Sequence, residues 1–374
     1  MKKVCHMTSG HKRYDLRILE KQCVSLARQG YDVTLIVNDN GKNEIYKDVK
    51  IISTGFYAQN RLDRFLNTKK HFFELAKKID ADVYQFHDPD LIPVGNKLKR
   101  EGKKIIFDSH ENVPKQILSK KWLPKLLRKP ISYIYEIYEK KSVKKYDAVI
   151  SVTYHIVDRL KRINRNTIMI TNYPIIKNKT EIDQIDVNAD IIKNKYVCFA
   201  GGVSTQWKHE NIISAIDRLE DINYILAGSG DNSYLEELKR LSGWKKVDYR
   251  GRITHAEVKK IYSSAIAGMA INQSLQSRIE GTLGNTKLFE YMEAGLPVIC
   301  SNHKLWKEIV EKYNCGICVN PNKIEEIKEA IKFVRDNPRI AKMLGDNGRL
   351  AVVSEYNWSS QEKILFELYC NMLN

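Results

Sequence analysis

The segment GTLGNTKLFEYMEAGLPVICSN, residues 281–302, combines residues that suit phosphate binding with signals that begin and end a helix. Gly284 and Asn285 precede a helix predicted over residues 286–294, and Gly295 is typical of the left-handed residue that ends one. The first backbone N–H groups of such a helix lack partners within it and lie at the positive end of its dipole. The segment is therefore a candidate phosphate site.

Lys287 and Glu290 lie one turn apart on the same face of this predicted helix. Glu290 lies roughly 6 Å along the axis from the helix start, at a rise of 1.5 Å per residue, which is close to the separation of a diphosphate and its ribose. A carboxylate accepts hydrogen bonds from two hydroxyls at once and so suits a ribose diol. The alternative is an ordinary Glu/Lys pair on a solvated helix, worth only a few tenths of a kcal/mol.

Composition limits the class of protein. The chain has 374 residues, which predicts two domains. Its 62 Lys and Arg against 45 Asp and Glu give a net charge of +17, which favours anionic partners. The seven scattered cysteines and the polar start of the chain favour a reducing cytosol. No apolar run is long enough to span a bilayer, so we expect any membrane contact to be peripheral, on the inner face of the cytoplasmic membrane.

Short apolar runs alternate with helical patterns along both halves of the chain, which is typical of parallel sheets covered by helices on both faces. The predicted fold class is α/β with two Rossmann-like doubly wound domains that face each other across a cleft. The predicted divisions are an acceptor-side domain over residues 1–175, a linker over 176–194, a donor domain over 195–355, and a closing helix over 356–374 that packs back on the first domain.

KLFEYMEAGLPVI resembles the donor-site helix of the retaining glycosyltransferases of family 4, which have the GT-B fold. Four other segments are similar to a branch of that family used in bacterial surface polysaccharide synthesis: MTSGHKRYDLRILEKQCVSLARQGYDVTLIV, VYQFHDPDLIPVG, KKIIFDSHENVP and YNWSSQEKILFELY. The resemblance covers nearly the whole chain in order, and it is more specific for fold and reaction than for substrate.

The resemblance implies a donor site with two departures from the family. Glu290 matches the second glutamate of the E-x7-E motif, whereas Thr282 stands at the position of the first and Glu280 lies two residues earlier. Either Glu280 reaches the sugar or backbone amides replace it. Gly202 stands where the family has a diphosphate-binding arginine, while Lys208 keeps the lysine. The remaining donor-binding residues implied are Leu283, Gly284, Asn285, Thr286 and Lys287, together with Arg252 and Ile253 near the base.

Histidines in the N-terminal half match further family positions. His110 follows a predicted strand, where the family has a histidine beside the transferred sugar. Gly10 and His11 lie on the first strand-to-helix loop, near the diphosphate or the acceptor. His87 and Asp88 are assigned to the acceptor side. A structural alternative for each histidine is a hydrogen bond to a neighbouring loop.

Asp88 and Asp90 also spell D-x-D, a metal-binding signature of the other main glycosyltransferase fold. The double Rossmann pattern argues against that interpretation, because GT-B enzymes stabilise the leaving diphosphate with cations and a helix dipole. We therefore expect no metal and no cofactor, with Pro89 beginning the next helix. Cys315 and Cys318 have zinc-like spacing but no second pair at finger spacing.

Residues 115–145 hold ten Lys and Arg against two Glu, interleaved with aromatic and aliphatic residues. This pattern suits an anionic membrane surface. The alternative is a helical hairpin whose apolar stripe packs on its own domain. No recognisable nucleic-acid-binding motif is present, and we expect no nucleic-acid partner.

The expected reaction moves a sugar from a nucleotide diphosphate donor, a UDP-sugar, to a hydroxyl of a glycan or lipid-linked glycan. Retention of the anomeric configuration by a front-face route follows from the resemblance alone. Its expected catalytic residues are His110, Lys208 and Lys287, because stabilising the leaving diphosphate is the main requirement. A GT-B sugar-nucleotide 2-epimerase and a catalytically weak basic membrane scaffold remain alternatives.

Overall fold

The computed structural model describes residues 1–56, 68–120, 122–176, 195–273, 283–284 and 286–373. The chain divides into two compact units. The first comprises Met1–Asn172 and Ser359–Asn374, and the second comprises Tyr173–Trp358. Residues 177–194, most of the predicted linker, lie outside the described residues.

The described residues of the first unit form an eight-stranded sheet in the order β3-β4-β2-β1-β5-β6-β7-β8, parallel except for the β3/β4 pair. The strands are β1 Lys3–Thr8, β2 Asp32–Val37, β3 Glu44–Tyr46, β4 Val49–Ser53, β5 Val83–Phe86, β6 Lys104–Ser109, β7 Ala148–Ser151 and β8 Thr167–Met169. The central strands are buried along almost their whole length, as expected for a parallel sheet covered on both faces.

The helices of the first unit follow its strands. They are a π-helix Leu16–Cys23 that continues as Val24–Arg28, then Thr68–Ile79, the 3₁₀ turn Pro89–Leu91, Ile92–Arg100, Val113–Ser119, Lys125–Val143 and Tyr154–Lys161. The Asp15 carboxylate caps the π-helix by accepting from the backbone N–H groups of Arg17 and Ile18. The last helix, Trp358–Leu373, belongs to this unit from Ser359 onward.

Three neighbouring strands determine where the histidines lie. β5 is hydrogen-bonded to β1 on one side and to β6 on the other. Because the strands are parallel, their carboxyl ends meet at one edge of the sheet. The loops that follow Thr8, Phe86 and Ser109 therefore lie side by side.

The second unit has a six-stranded parallel sheet in the order β11-β10-β9-β12-β13-β14 among its described residues. The strands are β9 Tyr196–Ala200, β10 Asn223–Ala227, β11 Val247–Gly251, β12 Ala267–Ala270, β13 Val298–Ser301 and β14 Gly316–Val319. The helical segments are the 3₁₀ turns Thr205–Trp207 and Ser242–Lys246 and the α-helices His209–Asp217, Asn232–Lys239, His255–Ser264, Lys287–Glu293, Lys304–Tyr313, Ile324–Asp336 and Pro338–Ser354. The predicted pair of Rossmann-like parallel-sheet domains is confirmed.

Glycines let two loops meet at the carboxyl edge of this second sheet. A Cβ atom at Gly228, which has a φ of +131°, would lie 1.7 Å from the carbonyl oxygen of Gly201. A Cβ at Gly230 would lie equally close to the carbonyl of Val203. The loops after β9 and β10 can pack together only because these positions carry no side chain.

Candidate functional site

The loop after β1 is held by two carboxylates that follow β5. Asp88 Oδ2 accepts hydrogen bonds from Thr8 Oγ1 at 2.7 Å, from the Ser9 amide at 2.8 Å and from the Gly10 amide at 3.1 Å. Asp90 Oδ1 accepts from Ser9 Oγ at 2.8 Å. Both acids of the D-x-D sequence therefore fix the conformation of the β1 loop.

His11 completes this arrangement, with its Nδ1 3.4 Å from Asp88 Oδ1. Burial acts to raise the pKa of Asp88, but the hydrogen bond and charge of His11 and the bonds from Thr8 and Gly10 outweigh it and hold the pKa well below the usual range. The same contact raises the pKa of His11. Asp88 is only 6% exposed. The Asp88 carboxylate is therefore already used within the protein, and its predicted place on the acceptor side stays a prediction.

A second buried carboxylate, Asp108, lies at the end of β6. It accepts from Arg17 Nη2 at 2.9 Å, Arg17 Nε at 3.2 Å and Gln22 Nε2 at 2.7 Å, and it lies 3.1 Å from His87 Nδ1. His110 Nε2 lies 3.1 Å from Asp108 Oδ2 and accepts from Arg17 Nε at 3.3 Å. Burial acts to raise the pKa of Asp108, while the charge of Arg17 and the contacts of both histidines hold it well below its usual value. Asp108 is thus an ionised carboxylate that orients His110.

Sequence reasoning missed Asp108 and Arg17. The signal for Asp108 was its spacing from His110, since a residue two positions earlier in an extended segment lies on the same face. Arg17 had no comparable signal. It lies in an amphipathic helix, and Asp108 and the carbonyl of Ile170, 2.9 Å away, accept its hydrogen bonds where it is buried.

The structure brings three of the predicted histidines together. The His110 ring meets those of His11 and His87 edge-on, at centroid distances of 5.2 and 5.7 Å. The side chain of His110 is 17% exposed, whereas that of His87 has no exposed surface. The acceptor-side role of His87 stays a prediction. Its ring lies beneath the surface and contacts Asp108, the carboxylate that holds His110.

His87, Asp108 and His110 offer ligand atoms that lie within 4.8 Å of one another. However, Arg17 and Gln22 already donate to the Asp108 oxygen that both histidines contact. A divalent cation there would face the Arg17 guanidinium across a single carboxylate. The geometry fits a hydrogen-bonded group better than a metal centre.

In the second unit, the Glu290 carboxylate has three donors around it. Its Oε1 accepts from Thr286 Oγ1 at 2.6 Å, and its Oε2 lies 2.5 Å from Lys287 Nζ and 3.3 Å from the Tyr262 hydroxyl. The Glu290 side chain is 31% exposed. Tyr262, on the helix His255–Ser264, was not identified from the sequence.

The helix that carries Glu290 differs from its prediction. It runs over Lys287–Glu293, with Thr286 at the N-cap position and no side-chain cap hydrogen bond. Gly295 has a φ of +68° and follows the helix, as predicted. Glu280, Thr282 and Asn285 lie outside the described residues. Leu283 is buried and Gly284 is half-buried.

Lys287 also lies against the loop after β9. A Cβ atom at Gly201 would be 3.0 Å from Lys287 Cε, so the lysine stem passes over a residue without a side chain. A Cβ atom at Gly202, the position of the family's arginine, would meet nothing within 4 Å in the part of the chain that the structure describes. Among the described residues, Lys287 thus packs on Gly201 while the neighbouring Gly202 position is open.

Lys208 precedes the helix His209–Asp217 in the left-handed conformation, with φ +47° and ψ 39°. Its Nζ lies 3.4 Å from Glu210 Oε1, and 24% of its side chain is exposed. His209 is fully buried, with its Nδ1 2.9 Å from the Tyr224 hydroxyl, and burial lowers its pKa to about 3. His209 is therefore a buried neutral imidazole at pH 7 and supplies no cation.

Arg252 and Ile253 follow β11 at the same edge. Arg252 Nε donates to Ser229 Oγ at 3.0 Å, which joins this loop to the one after β10. Gly251 has a φ of +58°, and its carbonyl accepts from the Gly228 amide at 2.6 Å. Arg252 is exposed and Ile253 is half-buried, so the loop presents its backbone at the edge where the sequence placed the base.

The basic segment 115–145 presents apolar side chains to solvent. Lys125–Val143 buries Ser132, Glu139, Ser142 and Val143. Its exposed large residues, with the preceding Trp122, are 36–90% accessible: Trp122, Leu126, Leu127, Tyr133, Ile134, Ile137 and Tyr138. The alternative in which the whole apolar stripe packs on its own domain is therefore wrong. Among the described residues, no helix has the length and apolar character that a membrane span requires.

Two parallel sheets, each carrying polar loops at its carboxyl edge, define a class of nucleotide-binding double-Rossmann proteins. Comparison with known proteins narrows that class. Residues 17–172 match the family model described as Glycosyltransferase Family 4, and residues 181–351 match that described as Glycosyl transferases group 1. The chain is a glycosyltransferase of the GT-B type.

The chain is similar to relatives over most of its length. It is 27% identical over 332 residues to an uncharacterized glycosyltransferase of Methanocaldococcus jannaschii, covering 81% of this chain and 78% of that protein. The Anabaena protein HepE in complex with UDP and glucose has a TM-score of 0.72 at 13% identity, covering 99% and 100% of the two chains. WaaG, a glycosyltransferase involved in lipopolysaccharide biosynthesis, has a TM-score of 0.69 at 13% identity, covering 98% and 99%.

Proposed function

We propose that this glycosyltransferase moves a sugar from a UDP-sugar to a hydroxyl of a glycan or lipid-linked glycan, with retention of anomeric configuration and release of UDP. We place the reaction in the synthesis of bacterial surface polysaccharide. The observation that carries the proposal is the Lys287 and Glu290 pair, with the Lys287 stem packed on Gly201. A cation and a diol-binding carboxylate one helical turn apart match the diphosphate and the ribose of one nucleotide.

The uridine donor is supported by the fold shared with HepE, whose structure holds UDP and glucose. Retention is supported by the resemblance of KLFEYMEAGLPVI to the retaining family. In this mechanism Lys208 and Lys287 stabilise the negative charge that develops on the leaving diphosphate, and His110 contacts the transferred sugar. Arg17 and Asp108 keep the His110 ring in one orientation.

We propose that the reaction needs no resident metal. Lysine ammonium groups supply the positive charge that a divalent ion supplies in other sugar-nucleotide enzymes. The acids of the D-x-D sequence support the same view, because their oxygens accept hydrogen bonds from the β1 loop.

The first experiment is calorimetric binding of UDP, GDP, ADP, CMP and TDP to the full chain in EDTA. We expect UDP to bind best and Glu290→Ala to lose most of that affinity, with Lys239→Ala, a surface lysine paired with Glu236, as the matched control. Tighter binding of another diphosphate would replace the uridine assignment. Binding that appears only when Mg²⁺ is added would refute metal independence.

We propose that the exposed face of residues 115–145 binds an anionic bilayer. The sequence of this segment carries ten cations, and its Trp122, Leu126 and Ile134 are 58%, 90% and 65% exposed. Basic residues contribute about 1 kcal/mol each near an anionic lipid surface, and buried apolar area adds to this. The acceptor would then be met at the inner face of the cytoplasmic membrane.

Vesicle sedimentation tests the membrane proposal. The protein should bind vesicles of phosphatidylglycerol and phosphatidylcholine, and bind pure phosphatidylcholine far less. Leu126→Ser should weaken binding, whereas Leu350→Ser, at a residue that is 65% exposed in the second unit, should not. Equal binding by Leu126→Ser and the wild type would refute the assignment of this face.

A further inference from the structure

Six buried side chains of the first unit form a closed hydrogen-bonded ring. Each has 2% exposure or less. On one side, Asp108 Oδ2 contacts His87 Nδ1 at 3.1 Å, His87 Nε2 contacts His6 Nδ1 at 3.0 Å, and His6 Nε2 contacts Tyr369 Oη at 3.1 Å. On the other side, Tyr369 Oη donates to Gln85 Oε1 at 2.7 Å and Gln85 Nε2 donates to Gln22 Oε1 at 2.5 Å. Gln22 Nε2 then donates to Asp108 Oδ2 at 2.7 Å and closes the ring. Tyr369 belongs to the C-terminal helix, so that helix reaches the carboxylate that holds His110.

The direction of the hydrogen bonds along one side of the ring follows from Asp108. An ionised carboxylate only accepts, so the Gln22 amide nitrogen donates to it and the Gln22 oxygen accepts. Gln85 must then donate its amide N–H to Gln22 and accept with its own oxygen. The single hydroxyl proton of Tyr369 is therefore donated to Gln85.

The other side of the ring needs more protons than neutral imidazoles carry. Because the Tyr369 proton is already used, His6 Nε2 must carry a hydrogen to bond the Tyr369 oxygen. His87 Nδ1 must carry one to bond Asp108. The contact between the two histidines needs a third. Two neutral imidazoles supply only two, so the six contacts of the ring have five protons.

We propose that the His6 and His87 pair holds one proton more than two neutral imidazoles, and that Tyr369 is the positioning residue that makes this proton necessary. The extra proton lies in the ring beside Asp108, whose carboxylate is also paired with Arg17. Each contact then has one donor and one acceptor, and the carboxylate is held in a single orientation toward Arg17 and His110.

Other influences oppose this proton, and the ring has to overcome them. Burial lowers the pKa of both histidines, His87 lowers the pKa of His6 further, and His110 lowers that of His87. Asp108 acts in the opposite direction on both, and Asp88 does so on His87. Two lone pairs held 3 Å apart without a proton in a dry interior are also unfavourable. The closed geometry of the ring favours the protonated pair.

Nitrogen NMR of the full chain tests the proton count directly. The protein is labelled with ¹⁵N-histidine, and two-bond ¹H–¹⁵N spectra at pH 7.5 distinguish protonated from bare ring nitrogens. We expect three of the four nitrogens of His6 and His87 to be protonated. Two protonated nitrogens in the wild type would overturn the proposal, and this measurement needs no variant and no substrate.

The variant Tyr369→Phe tests the role of the tyrosine. Without its hydroxyl, His6 Nε2 has no oxygen to bond, so the pair should fall to two protonated nitrogens. Tyr31→Phe is the matched control, because the Tyr31 ring lies 6.0 Å from that of Tyr369 and its hydroxyl is not in the ring. Three protonated nitrogens in Tyr369→Phe would show that the ring is not the cause.

A kinetic measurement, which rests on the proposed function, tests positioning. Tyr369→Phe should lower kcat about tenfold, the lower end of what loss of a supporting hydrogen bond costs an active-site residue, while the donor KM stays within about twofold. An unchanged kcat, with the nitrogen count altered, would overturn the positioning role alone. Failure of the proposed function would appear instead as no UDP binding by either protein.

Discussion

Lys287 Nζ lies 2.5 Å from Glu290 Oε2, three residues further along one helix, and the same oxygen is 3.3 Å from the Tyr262 hydroxyl. Glu290 is therefore both a member of an ordinary Glu/Lys pair on one helix and the carboxylate that we propose binds the ribose. A ribose diol that binds Glu290 exchanges hydrogen bonds with lysine and hydroxyl donors that are already in place. The cation nearest the carboxylate is then positioned for the diphosphate of the same ligand.

Replacing Glu290 should mainly affect donor binding. Glu290→Ala removes both acceptor oxygens, and we expect UDP affinity to fall about tenfold or more, which corresponds to about 1.4 kcal/mol. Glu290→Gln keeps the shape of the side chain and one acceptor oxygen, so its UDP affinity should lie between those of the wild type and Glu290→Ala. Calorimetry measures both. If Glu290→Ala binds UDP as tightly as the wild type, the pair is only a helix surface contact.

Lys208 should act on turnover. Lys208→Ala removes a cation that stabilises the leaving diphosphate, and we expect kcat to fall about 100-fold, equivalent to roughly 2.7 kcal/mol of transition-state stabilisation. Lys208→Arg should keep part of the rate because the charge remains. Steady-state donor turnover checks this, and near wild-type rates in Lys208→Ala would remove the residue from the mechanism.

The alternation of apolar runs and helical patterns was sufficient to predict both parallel sheets. Its failures were at the edges. The edge strands β3 and β8 and the neighbouring β4 were not predicted because strands of three to five residues carry too little pattern to distinguish them from loops. The helix that follows β1 begins as a π-helix over Leu16–Cys23, a feature that hydrophobic spacing does not reveal.

Site residues divide in the same way. Glu290, Lys287 and His110 became site candidates because each belongs to a motif that is complete within a single short segment. Tyr262 and Arg17 were missed because their roles depend on contacts between segments distant in sequence. Spacing also does not show burial: His87 and Asp88, which the sequence assigned to the acceptor side, are only 2% and 6% exposed.

Gly202 should accept the arginine that the family carries there. Its Cβ position is open among the described residues, so Gly202→Arg should fold normally. The added cation should tighten UDP binding severalfold at low salt, and the gain should shrink above about 0.1 M salt, where the Debye length is about 10 Å. Gly202→Gln is the uncharged control. A gain of equal size with glutamine would refute a charge effect.

Gly201 should behave differently although it is the adjacent residue. Gly201→Ala places a methyl group 3.0 Å from both Lys287 Cε and the Phe199 ring, so the lysine stem or the ring must shift. We expect weaker UDP binding in Gly201→Ala and little change in Gly202→Ala. Calorimetry on the pair separates close approach from general glycine flexibility, and equal affinities in the two variants would contradict it.

Asp88 should make stability depend on acid. Its folded pKa lies below the ordinary value of 3.8, so its contribution is fully present above about pH 4 and is lost as the pH falls through the folded pKa. Asp88→Asn leaves the donors Thr8, Ser9 and Gly10 poorly paired and should cost about 1–3 kcal/mol at pH 7. The deficit should shrink in strong acid, because the wild-type carboxyl is also neutral there.

Urea unfolding at pH 7 and at the lowest pH where the fold persists measures the difference in unfolding free energy between Asp88→Asn and the wild type, with the exposed Asp158→Asn as control. A deficit that stays constant with pH would mean that Asp88 contributes by shape and not by charge.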